Sequence, residues 1–315
     1  MLNRRHLRIK VLQLLYAYFQ SEENNIPKAE KELLHTIERM YDMYLYLLLS
    51  LSEMKRAAEN KLADKKKKIR PSEEDLHPNV KFVSNQIITA LENSSSLKVL
   101  CEKRKLNWMG VENQELFRKI FQHTLENETY FQYMNNGLSG FEEDRAFAIA
   151  IFKEDLANSD LLYHYFEEKS INWIDDLDLC CSMVIKSIKG IQENEEFIPL
   201  PLFKENDDEK EFLVQLFLKT LQNNKESEEL IGELADNWEL DRIAKMDMLL
   251  LKMGLTELQI FPSIPTKVTL NEYIEISKFY STPKSNLFIN GILDKAIGKL
   301  TLEKKIVKTG RGLIN

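Results

Sequence analysis

The chain has 315 residues, of which 43% are hydrophobic, and its formal net charge is −7. Only ten Gly and eight Pro occur, and no Gly precedes Gly110, which disfavours an architecture of strands and tight turns and favours a mostly helical one. No stretch approaches the roughly 20 apolar residues that a membrane helix needs, and polar residues interrupt the apolar part of the basic N-terminus, so neither a membrane span nor a secretory signal is expected.

Two helices and a basic linker are predicted for the first 80 residues. Residues 3–20 carry apolar side chains such as Leu7 at helical spacing. Pro27 can occupy the first position of a second helix, which continues to about Asn60. Residues 61–80 are rich in Lys and end in two prolines, which predicts a linker or an exposed loop.

Helical periodicity continues through the rest of the chain. The predicted helices cover residues 81–105, 113–134, 141–157, 160–170, 173–189, 207–222, 226–236, 239–253, 269–280 and 283–302. Thr269 followed by Glu272 has the spacing of a capping box, and Thr282 precedes Pro283 as an N-cap precedes a proline at the first helical position. The predicted fold class is therefore all-α.

An internal similarity relates residues 142–190 to residues 207–255 at a constant offset of 65. Both segments have an acidic start, and the Asn-Trp pair at 172–173 meets the Asn-Trp pair at 237–238. Amphipathic helices match by chance at apolar positions, so the pattern leaves a degenerate duplication and coincidence both open.

The negative net charge conceals two basic chain ends. Residues 1–20 hold four basic residues and no acidic one, and residues 295–315 hold six basic residues and Glu303. Residues 205–240, by contrast, hold eleven acidic residues and three lysines. Because the positive charge is concentrated at the ends, the overall balance does not exclude an RNA ligand.

The first basic cluster lies at the start of the first predicted helix. Arg4, Arg5 and Arg8 fall within about 100° of arc, overlapping the apolar face. Positive charge at a helix N-terminus opposes the macrodipole at a cost of about 0.3–1 kcal/mol. Because the cluster is slightly unfavourable for the helix, it is a mild indication of a binding role. Guanidinium groups suit phosphate oxygens and stack on bases, and the alternative is a solvated helix start.

The last predicted helix carries a second basic face. Phe288 lies off its buried stripe, on a flank that it shares with Lys284, Lys295 and Lys299. An aromatic ring among lysines is typical of a single-stranded nucleic-acid site, where the ring stacks on a base for about 1–3 kcal/mol. The alternative is that Phe288 packs on a neighbouring helix.

Catalysis, cofactors and metals find little support in the sequence. The segment from Gly291 to Gly298 lacks a preceding strand, and no cofactor fingerprint occurs. The three cysteines, two of them adjacent, predict no disulfide framework, and the five isolated histidines predict no metal site. We therefore expect no enzyme and no cofactor, and a reducing cytoplasm as the compartment.

Short motifs at both ends of the chain occur in a specific order. They are Asn3-Arg4-Arg5-His6-Leu7-Arg8, Gln13-Leu14-Leu15-Tyr16, Asn237-Trp238, Asp241-Arg242-Ile243-Ala244-Lys245-Met246-Asp247, Leu255-Thr256-Glu257-Leu258, Ile264-Pro265-Thr266-Lys267-Val268, Asn271-Glu272 and Phe288-Ile289-Asn290-Gly291-Ile292-Leu293-Asp294-Lys295. In this order they resemble the NusB family of transcription antitermination factors.

The resemblance implies a domain organisation. A NusB-like helical bundle would combine an N-terminal RNA-binding helix in residues 1–22 with residues 205–302. Residues 27–200 would be a helical insertion without a catalytic role, and residues 303–315 a basic tail. The segment 142–190 lacks counterparts of several motifs, so we expect no second RNA site there.

The resemblance also implies a function. Family members bind boxA-type nascent RNA together with the ribosomal protein NusE, and with RNA polymerase and other Nus factors they promote processive transcription of ribosomal RNA operons. The resemblance and the two basic faces together give the expected RNA-binding residues, which are Arg4, Arg5, His6, Arg8, Lys284, Phe288, Asn290, Lys295 and Lys299. Tyr16 and Asp247 match positions that face NusE.

Two departures from the family pattern affect the expected RNA site. His6 replaces an arginine that is often found there, which should weaken a phosphate contact at neutral pH. Lys284 stands where an acidic residue is common, which should strengthen RNA binding.

Two alternatives remain open at this point. A purely protein-binding helical scaffold would hold a ribosomal protein or polymerase without recognising RNA, although the arginines and Phe288 argue against it. NusB-like domains also precede RNA cytosine methyltransferase domains, but this chain has no Gly-rich cofactor-binding sequence.

Overall fold

The computed structural model describes residues 3–21, 25–203, 208–235 and 240–313, and these residues form helices and no strand. The α-helices are α1 (Arg4–Gln20), α2 (Ile26–Lys66), α3 (Glu73–Leu76), α4 (Gln86–Asn93), α5 (Ser95–Arg104), α6 (Val111–Thr124), α7 (Glu128–Asn135), α8 (Phe141–Ile151), α9 (Asp160–Lys169), α10 (Leu177–Gly190), α11 (Asp208–Gln222), α12 (Asn224–Leu234), α13 (Lys245–Ile260), α14 (Thr266–Tyr280) and α15 (Ser285–Leu302). The all-α prediction is confirmed.

Shorter helical turns complete the described part of the chain. A π-helical turn, Phe152–Ala157, continues α8. Three 3₁₀ turns are Ile171–Asp176, Leu240–Arg242 and Gly310–Leu313. The Asn-Trp pair at 237–238 lies outside the described residues.

The chain divides into two compact units. The terminal unit consists of Met1–Ile37 and Phe203–Asn315, and the inserted unit consists of Glu38–Leu202. Helix α2 begins in the terminal unit and ends in the inserted unit.

Helix α13 lies at the centre of the terminal unit, where it packs against α1, α11, α12, α14 and α15. Its residues from Leu249 to Leu258 are all buried, as expected for a helix that is covered on every side. Gly254 permits close packing, because a Cβ atom there would lie 3.0 Å from Leu293 Cδ2.

Helix α1 is part of this bundle and packs against α11, α13 and α14. Leu7, Val11 and Leu15 are fully buried along the contact. The N-terminal helix therefore folds with the C-terminal third of the chain, and the long intervening segment costs little because loop-closure entropy rises only logarithmically with length.

Aromatic side chains form much of the core of the inserted unit. Phe82 stacks on Phe121 with 5.6 Å between the ring centroids, and Tyr133 stacks on Phe147 at 3.7 Å. Trp173 is buried, and its indole N–H donates to the carbonyl of Arg39 at 2.8 Å. The insertion therefore has its own hydrophobic core.

Several helix boundaries differ from the sequence prediction. Helix α2 extends to Lys66, into the predicted 61–80 linker, because lysine is a good helix former and is favourable near a helix C-terminus. The predicted helix 81–105 is divided by Ser94, whose side chain caps α5, and the predicted helix 113–134 is divided by Asn127, whose side chain caps α7.

Neither predicted helix start in the C-terminal part is used. Helix α14 begins at Thr266, and Thr269 instead donates its buried hydroxyl to Glu257 Oε1 at 2.8 Å. Helix α15 begins at Ser285, whose side chain forms a 2.8 Å hydrogen bond with the hydroxyl of Thr282. Thr269 thus bonds to a tertiary partner on α13, whereas Thr282 bonds to the side chain of Ser285 three residues further along the chain.

The order of helical elements also repeats, with corresponding elements starting 64 to 69 residues apart. Helix α8 with its π-turn, α9, the 3₁₀ turn at Ile171–Asp176 and α10 are followed by α11, α12, the 3₁₀ turn at Leu240–Arg242 and α13. The lengths are similar, for example 14 residues in α10 and 16 in α13. The hypothesis of a degenerate duplication gains support from this order.

Candidate nucleic-acid interface

The arginines of the first predicted basic cluster lie in the first turns of α1. The side chain of Asn3 caps this helix by accepting a hydrogen bond from the His6 backbone N–H at 3.0 Å. No acidic residue lies in the first turn, so the macrodipole is not offset locally. The three arginines nevertheless have different environments.

Arg8 is buried, contrary to the expectation that it extends outward. Its side chain is 2% exposed, and its Nε and Nη2 atoms each donate to a carboxylate oxygen of Glu257 at 2.7 Å. Burial opposes the charged form, but the charge and hydrogen bonds of Glu257 outweigh it and raise the pKa of Arg8. This position is therefore a buried link between α1 and α13, because a guanidinium within the bundle must be paired.

Glu257 also accepts from two hydroxyl groups of α14. Thr269 donates to its Oε1 atom, and Tyr273 donates to its Oε2 atom at 3.1 Å. Burial, followed by the charge of Glu257, raises the pKa of Tyr273 well above its ordinary value. The buried carboxylate thus holds α1 and α14 to α13.

Arg5 and Glu272 form a second ion pair near the surface. Arg5 donates from Nη2 to Glu272 Oε1 at 2.7 Å and from Nε to Oε2 at 2.9 Å. Burial raises the pKa of Glu272, but the Arg5 hydrogen bond and the charge of Arg8 outweigh it and lower this pKa. Arg5 remains 43% exposed, so it is accessible to a ligand from its outer side.

His6 is half-buried, and its environment disfavours the charged form. Burial and the charge of Arg5 lower its pKa below the ordinary value of 6.5. Its Nδ1 atom is buried and has no hydrogen-bond partner among the residues that the structure describes. The weak phosphate contact expected at this position therefore has a structural reason.

A groove of about 820 Å³ lies beside the start of α1. Arg4 and Arg5 line it from α1, Lys267 and Val268 line it from the first turn of α14, and Arg311 lines it from the C-terminal tail. We call it the basic groove. Arg4 also stacks over the Phe212 ring, at 5.3 Å from its centroid.

Lys267 and Arg311 were not predicted as site residues from the sequence, although Lys267 lies in one of the family-like motifs. Both occur in basic or family-like segments, but single residues in such segments carry no signal of their own. Only the fold brings α14 and the C-terminal tail next to Arg4.

The residues predicted on α15 lie elsewhere in the terminal unit. Lys284 precedes the helix and is exposed, Asn290 is exposed, and Phe288 is half-buried. None of the three lines the basic groove.

Lys295 and Lys299 extend toward α12. The ammonium group of Lys295 donates to the carbonyl of Leu234 at 3.0 Å, and that of Lys299 pairs with Glu233. The hydrogen bond to Glu233 raises the pKa of Lys299. These two lysines therefore hold α15 to α12 in addition to carrying charge.

The residues of the basic groove and the start of α15, which carries Phe288 and Asn290, lie near opposite ends of α1. Arg5 is in the first turn, whereas Gln20 at the last residue accepts a hydrogen bond from Lys245 at the start of α13. The start of α13 is in turn joined to the start of α15, because Asp247 accepts from Ser285 at 2.7 Å. Since α1 has 17 residues, the groove and the start of α15 are about 25 Å apart along its axis.

The resemblance implied that Asp247 faces a protein partner, but the structure places this side chain in the interior. Its side chain is buried and accepts hydrogen bonds from the hydroxyl groups of Ser281 and Ser285, which connect α14 to α15. Hydroxyl donors near the first turn of α15 satisfy the carboxylate, so the residue is structural. Tyr16, by contrast, is exposed on α1, and Phe19 is exposed one turn later.

Other chemistry is sparse in the described part of the chain. Cys101, Cys180 and Cys181 are free and buried, and burial raises the pKa of the Cys181 thiol to about 12. The described residues contain no group of His, Cys, Asp and Glu that could hold a metal ion. None of their helices is long and apolar enough to cross a membrane.

Sequence comparisons relate the chain to one family. A family model described as the NusB family matches residues 177–298. A transcription antitermination protein NusB from Salinibacter ruber is 46% identical over 110 residues, which are 35% of this chain and 69% of that protein. A protein of the same name from Listeria monocytogenes is 35% identical over 126 residues, which are 40% of this chain and 88% of that protein.

A third relative of that name, from Chloroherpeton thalassium, is 39% identical over 106 residues, which are 34% of this chain and half of that protein. No solved structure matches the chain. The matched family region includes α13, α14 and most of α15, which carry Glu257, Lys267, Glu272 and Phe288.

Proposed function

The chain belongs to the NusB family, and we propose that it is a non-catalytic, RNA-binding transcription antitermination factor. In this proposal it binds single-stranded boxA-type nascent RNA together with the ribosomal protein NusE. Together with other Nus factors, this assembly binds the RNA polymerase elongation complex in the cytoplasm. It promotes processive transcription of ribosomal RNA operons.

The basic groove is the observation that carries the proposal. Arg4, Lys267 and Arg311 converge on it, and none of them forms an ion pair within the described residues. Three unneutralised cations around one groove, on a chain of net charge −7, favour a polyanionic ligand.

The proposed RNA contacts have distinct physical roles. Arg4, Arg5, Lys267 and Lys284 would neutralise phosphates, and the exposed part of Phe288 would stack on a base. Asn290, which is exposed two residues beyond Phe288, can donate to or accept from a base edge. Arg8 acts indirectly, since its pairing with Glu257 holds the arginine-bearing helix in place.

The separation between the groove and Phe288 sets the length of the RNA. An extended single strand that reaches from Arg5 to Phe288 must cover about 25 Å, the length of α1. This distance requires several nucleotides, which agrees better with a short linear element than with a single nucleotide or a phosphate ion.

NusE would dock on the exposed side of α1. Tyr16 and Phe19 present aromatic surface there, and partly exposed aromatic rings are frequent anchors at protein interfaces. The same two residues are the observation that favours the alternative of a protein-binding scaffold without RNA recognition.

A binding experiment separates these two functions. The purified chain is titrated against labelled boxA-type RNA, with and without NusE, and against a scrambled RNA of equal length. We expect binding of the boxA-type RNA that NusE strengthens. Arg4→Gln should weaken it, whereas Arg118→Gln, on an exposed ion-paired arginine of α6 in the inserted unit, serves as the matched control. Binding of NusE without any binding of RNA would support the scaffold instead.

A further inference from the structure

We propose that the C-terminal tail, residues 303–313, forms part of the RNA-binding surface of the basic groove. In this proposal Arg311 contacts one RNA phosphate. This inference rests on the proposed function and extends it to a segment beyond the family match, which ends at residue 298. Two observations carry it: the way the tail is held, and the position of its arginine.

The tail is fixed to the loop that precedes α14. The backbone N–H of Thr309 donates to the carbonyl of Pro262 at 3.0 Å, and the ammonium group of Lys308 donates to the carbonyl of Phe261 at 3.0 Å. Lys308 is half-buried, and burial lowers its pKa. Two hydrogen bonds to consecutive carbonyl groups thus attach the tail to the bundle.

Two glycines shape the final turn. Gly310 has a φ of 53°, in the left-handed region that favours glycine. Gly312 is buried, and a Cβ atom there would lie 1.9 Å from the carbonyl oxygen of Pro262. No side chain fits at 312 without displacing the tail, so the backbone seats closely on the loop at this point.

This docking places Arg311 between the two glycines, exposed and facing the basic groove. Arg4 of α1 and Lys267 of α14 line the same groove. No acidic side chain of the described residues pairs with it. The tail therefore closes the groove with a cation whose position is set by its neighbours on both sides.

Single-stranded RNA fits this groove better than an isolated phosphate. The cations come from three separate segments and line about 820 Å³, more space than a single phosphate group needs. Ile264, Pro265 and Val268 add apolar lining against which a ribose or base can rest. A phosphodiester chain uses both features, whereas a free phosphate uses only the charges.

The test is a salt series with labelled boxA-type RNA and four proteins: the unaltered chain, Arg311→Gln, Gly312→Ala and Lys304→Gln. Lys304 is an exposed tail lysine outside the groove and is the matched control. Arg311→Gln should weaken binding and make the slope of log affinity against log salt shallower by about 0.7, the value for one phosphate contact on a single strand. Lys304→Gln should leave the slope unchanged.

Gly312→Ala tests the docking without changing any charge. Displacement of the tail should reproduce the Arg311→Gln slope, while the thermal unfolding of the helical bundle stays as in the unaltered chain. An Arg311→Gln slope equal to that of the unaltered chain overturns the inference and leaves the proposed function standing. Equal effects of Arg311→Gln and Lys304→Gln overturn it as well, since the tail would then act only through its net charge.

Two further outcomes bear on the ligand. If the unaltered chain binds no RNA, with or without NusE, the proposed function fails and the inference fails with it. Inorganic phosphate, compared with chloride at equal ionic strength, should compete only weakly with RNA. Strong competition that is lost in Arg311→Gln would identify a site for a free phosphate and would overturn the assignment to RNA.

Discussion

Arg8 and Glu257 are 249 residues apart in the sequence and join through two hydrogen bonds of 2.7 Å between fully buried side chains. The pair connects the N-terminal helix to the central helix of the terminal unit. Because Thr269 and Tyr273 donate to the same carboxylate, all of its strong acceptor positions face a donor, which is the condition under which a buried ion pair is tolerated.

Removing only the arginine should be costly. Arg8→Ala leaves the Glu257 carboxylate buried without its cation, so the free energy of unfolding should fall by about 3–5 kcal/mol in urea denaturation. The double variant Arg8→Met with Glu257→Gln should recover much of this loss, because it removes both charges, and the amide offers its oxygen as acceptor to one hydroxyl group and its NH2 as donor to the other. Equal stability of Arg8→Ala and the unaltered chain would show that the pair is dispensable.

Helical periodicity predicted α1 and its apolar face, but it could not show that Arg8 points inward. The three arginines span an arc of about 100° on the helix, and such an arc includes both positions at the edge of the core and positions on the surface. The choice between them depends on Glu257, whose proximity is a product of the tertiary fold. The burial of Asp247 could not be predicted for the same reason, since its partners Ser281 and Ser285 are 34 and 38 residues away.

The basic groove was only partly visible in the sequence. Arg4 and Arg5 could be identified as a cluster because they are adjacent on one helix. Arg311 contributes only because the tail turns back onto Pro262, which depends on backbone contacts at Thr309 and Gly312. Side-chain patterning carries no information about such contacts.

Glu272 should restrain RNA binding. Its carboxylate occupies Arg5 and adds a negative charge to the rim of the groove. Glu272→Gln should therefore raise RNA affinity, by about 1 kcal/mol for one unit charge several ångströms from a phosphate in a largely aqueous setting. Fluorescence anisotropy at low salt measures this gain, and Glu275→Gln on the same helix is the control. A loss of affinity would indicate that Glu272 orients Arg5 for the ligand.

Stability should depend on pH through the same residue. The pKa of Glu272 is lowered in the folded protein below its ordinary value of 4.5. Its stabilising contribution is therefore present above pH 4.5 and is lost as the pH falls through the lower, folded-state pKa. Urea unfolding between pH 7 and pH 3 should show the unaltered chain to be more stable than Glu272→Gln at pH 7, and the difference should vanish in acid.

His6 changes stability in the same direction at a higher pH. Its folded-state pKa lies below the ordinary value of 6.5, so the fold prefers the uncharged imidazole. The stabilising contribution of His6 is therefore fully present above pH 6.5, and it is lost as the pH falls through the folded-state pKa. His6→Gln should flatten this part of the curve. A curve that is unchanged between pH 7 and pH 5.5 would contradict the assignment, since the pH dependence that Glu272 itself causes lies below pH 4.5.

Tyr16 and Asp247 should differ in what they affect. Tyr16→Ala should weaken NusE binding by at least about 1 kcal/mol and leave the unfolding free energy unchanged, because the ring is exposed. Asp247→Ala should lower the unfolding free energy by about 1–3 kcal/mol, because it leaves the Ser281 and Ser285 hydroxyl groups without their acceptor. Calorimetric titration with NusE measures the first effect, and urea denaturation measures the second. If Asp247→Ala weakened NusE binding and Tyr16→Ala lowered the unfolding free energy, the two roles would be reversed.

Arg4 and Phe288 should respond differently to salt. Arg4→Ala should weaken binding of boxA-type RNA and make the salt dependence shallower by about 0.7, since it removes one phosphate contact. Phe288→Ala should cost about 1–3 kcal/mol of RNA affinity and leave the slope nearly unchanged, because stacking releases no counterions. Phe288 is half-buried, so thermal unfolding of the same variant is the necessary control. If Phe288→Ala sharply lowers the melting temperature and leaves RNA affinity intact, the ring belongs to the core, and the RNA-binding surface reduces to the cations of the basic groove and Lys284.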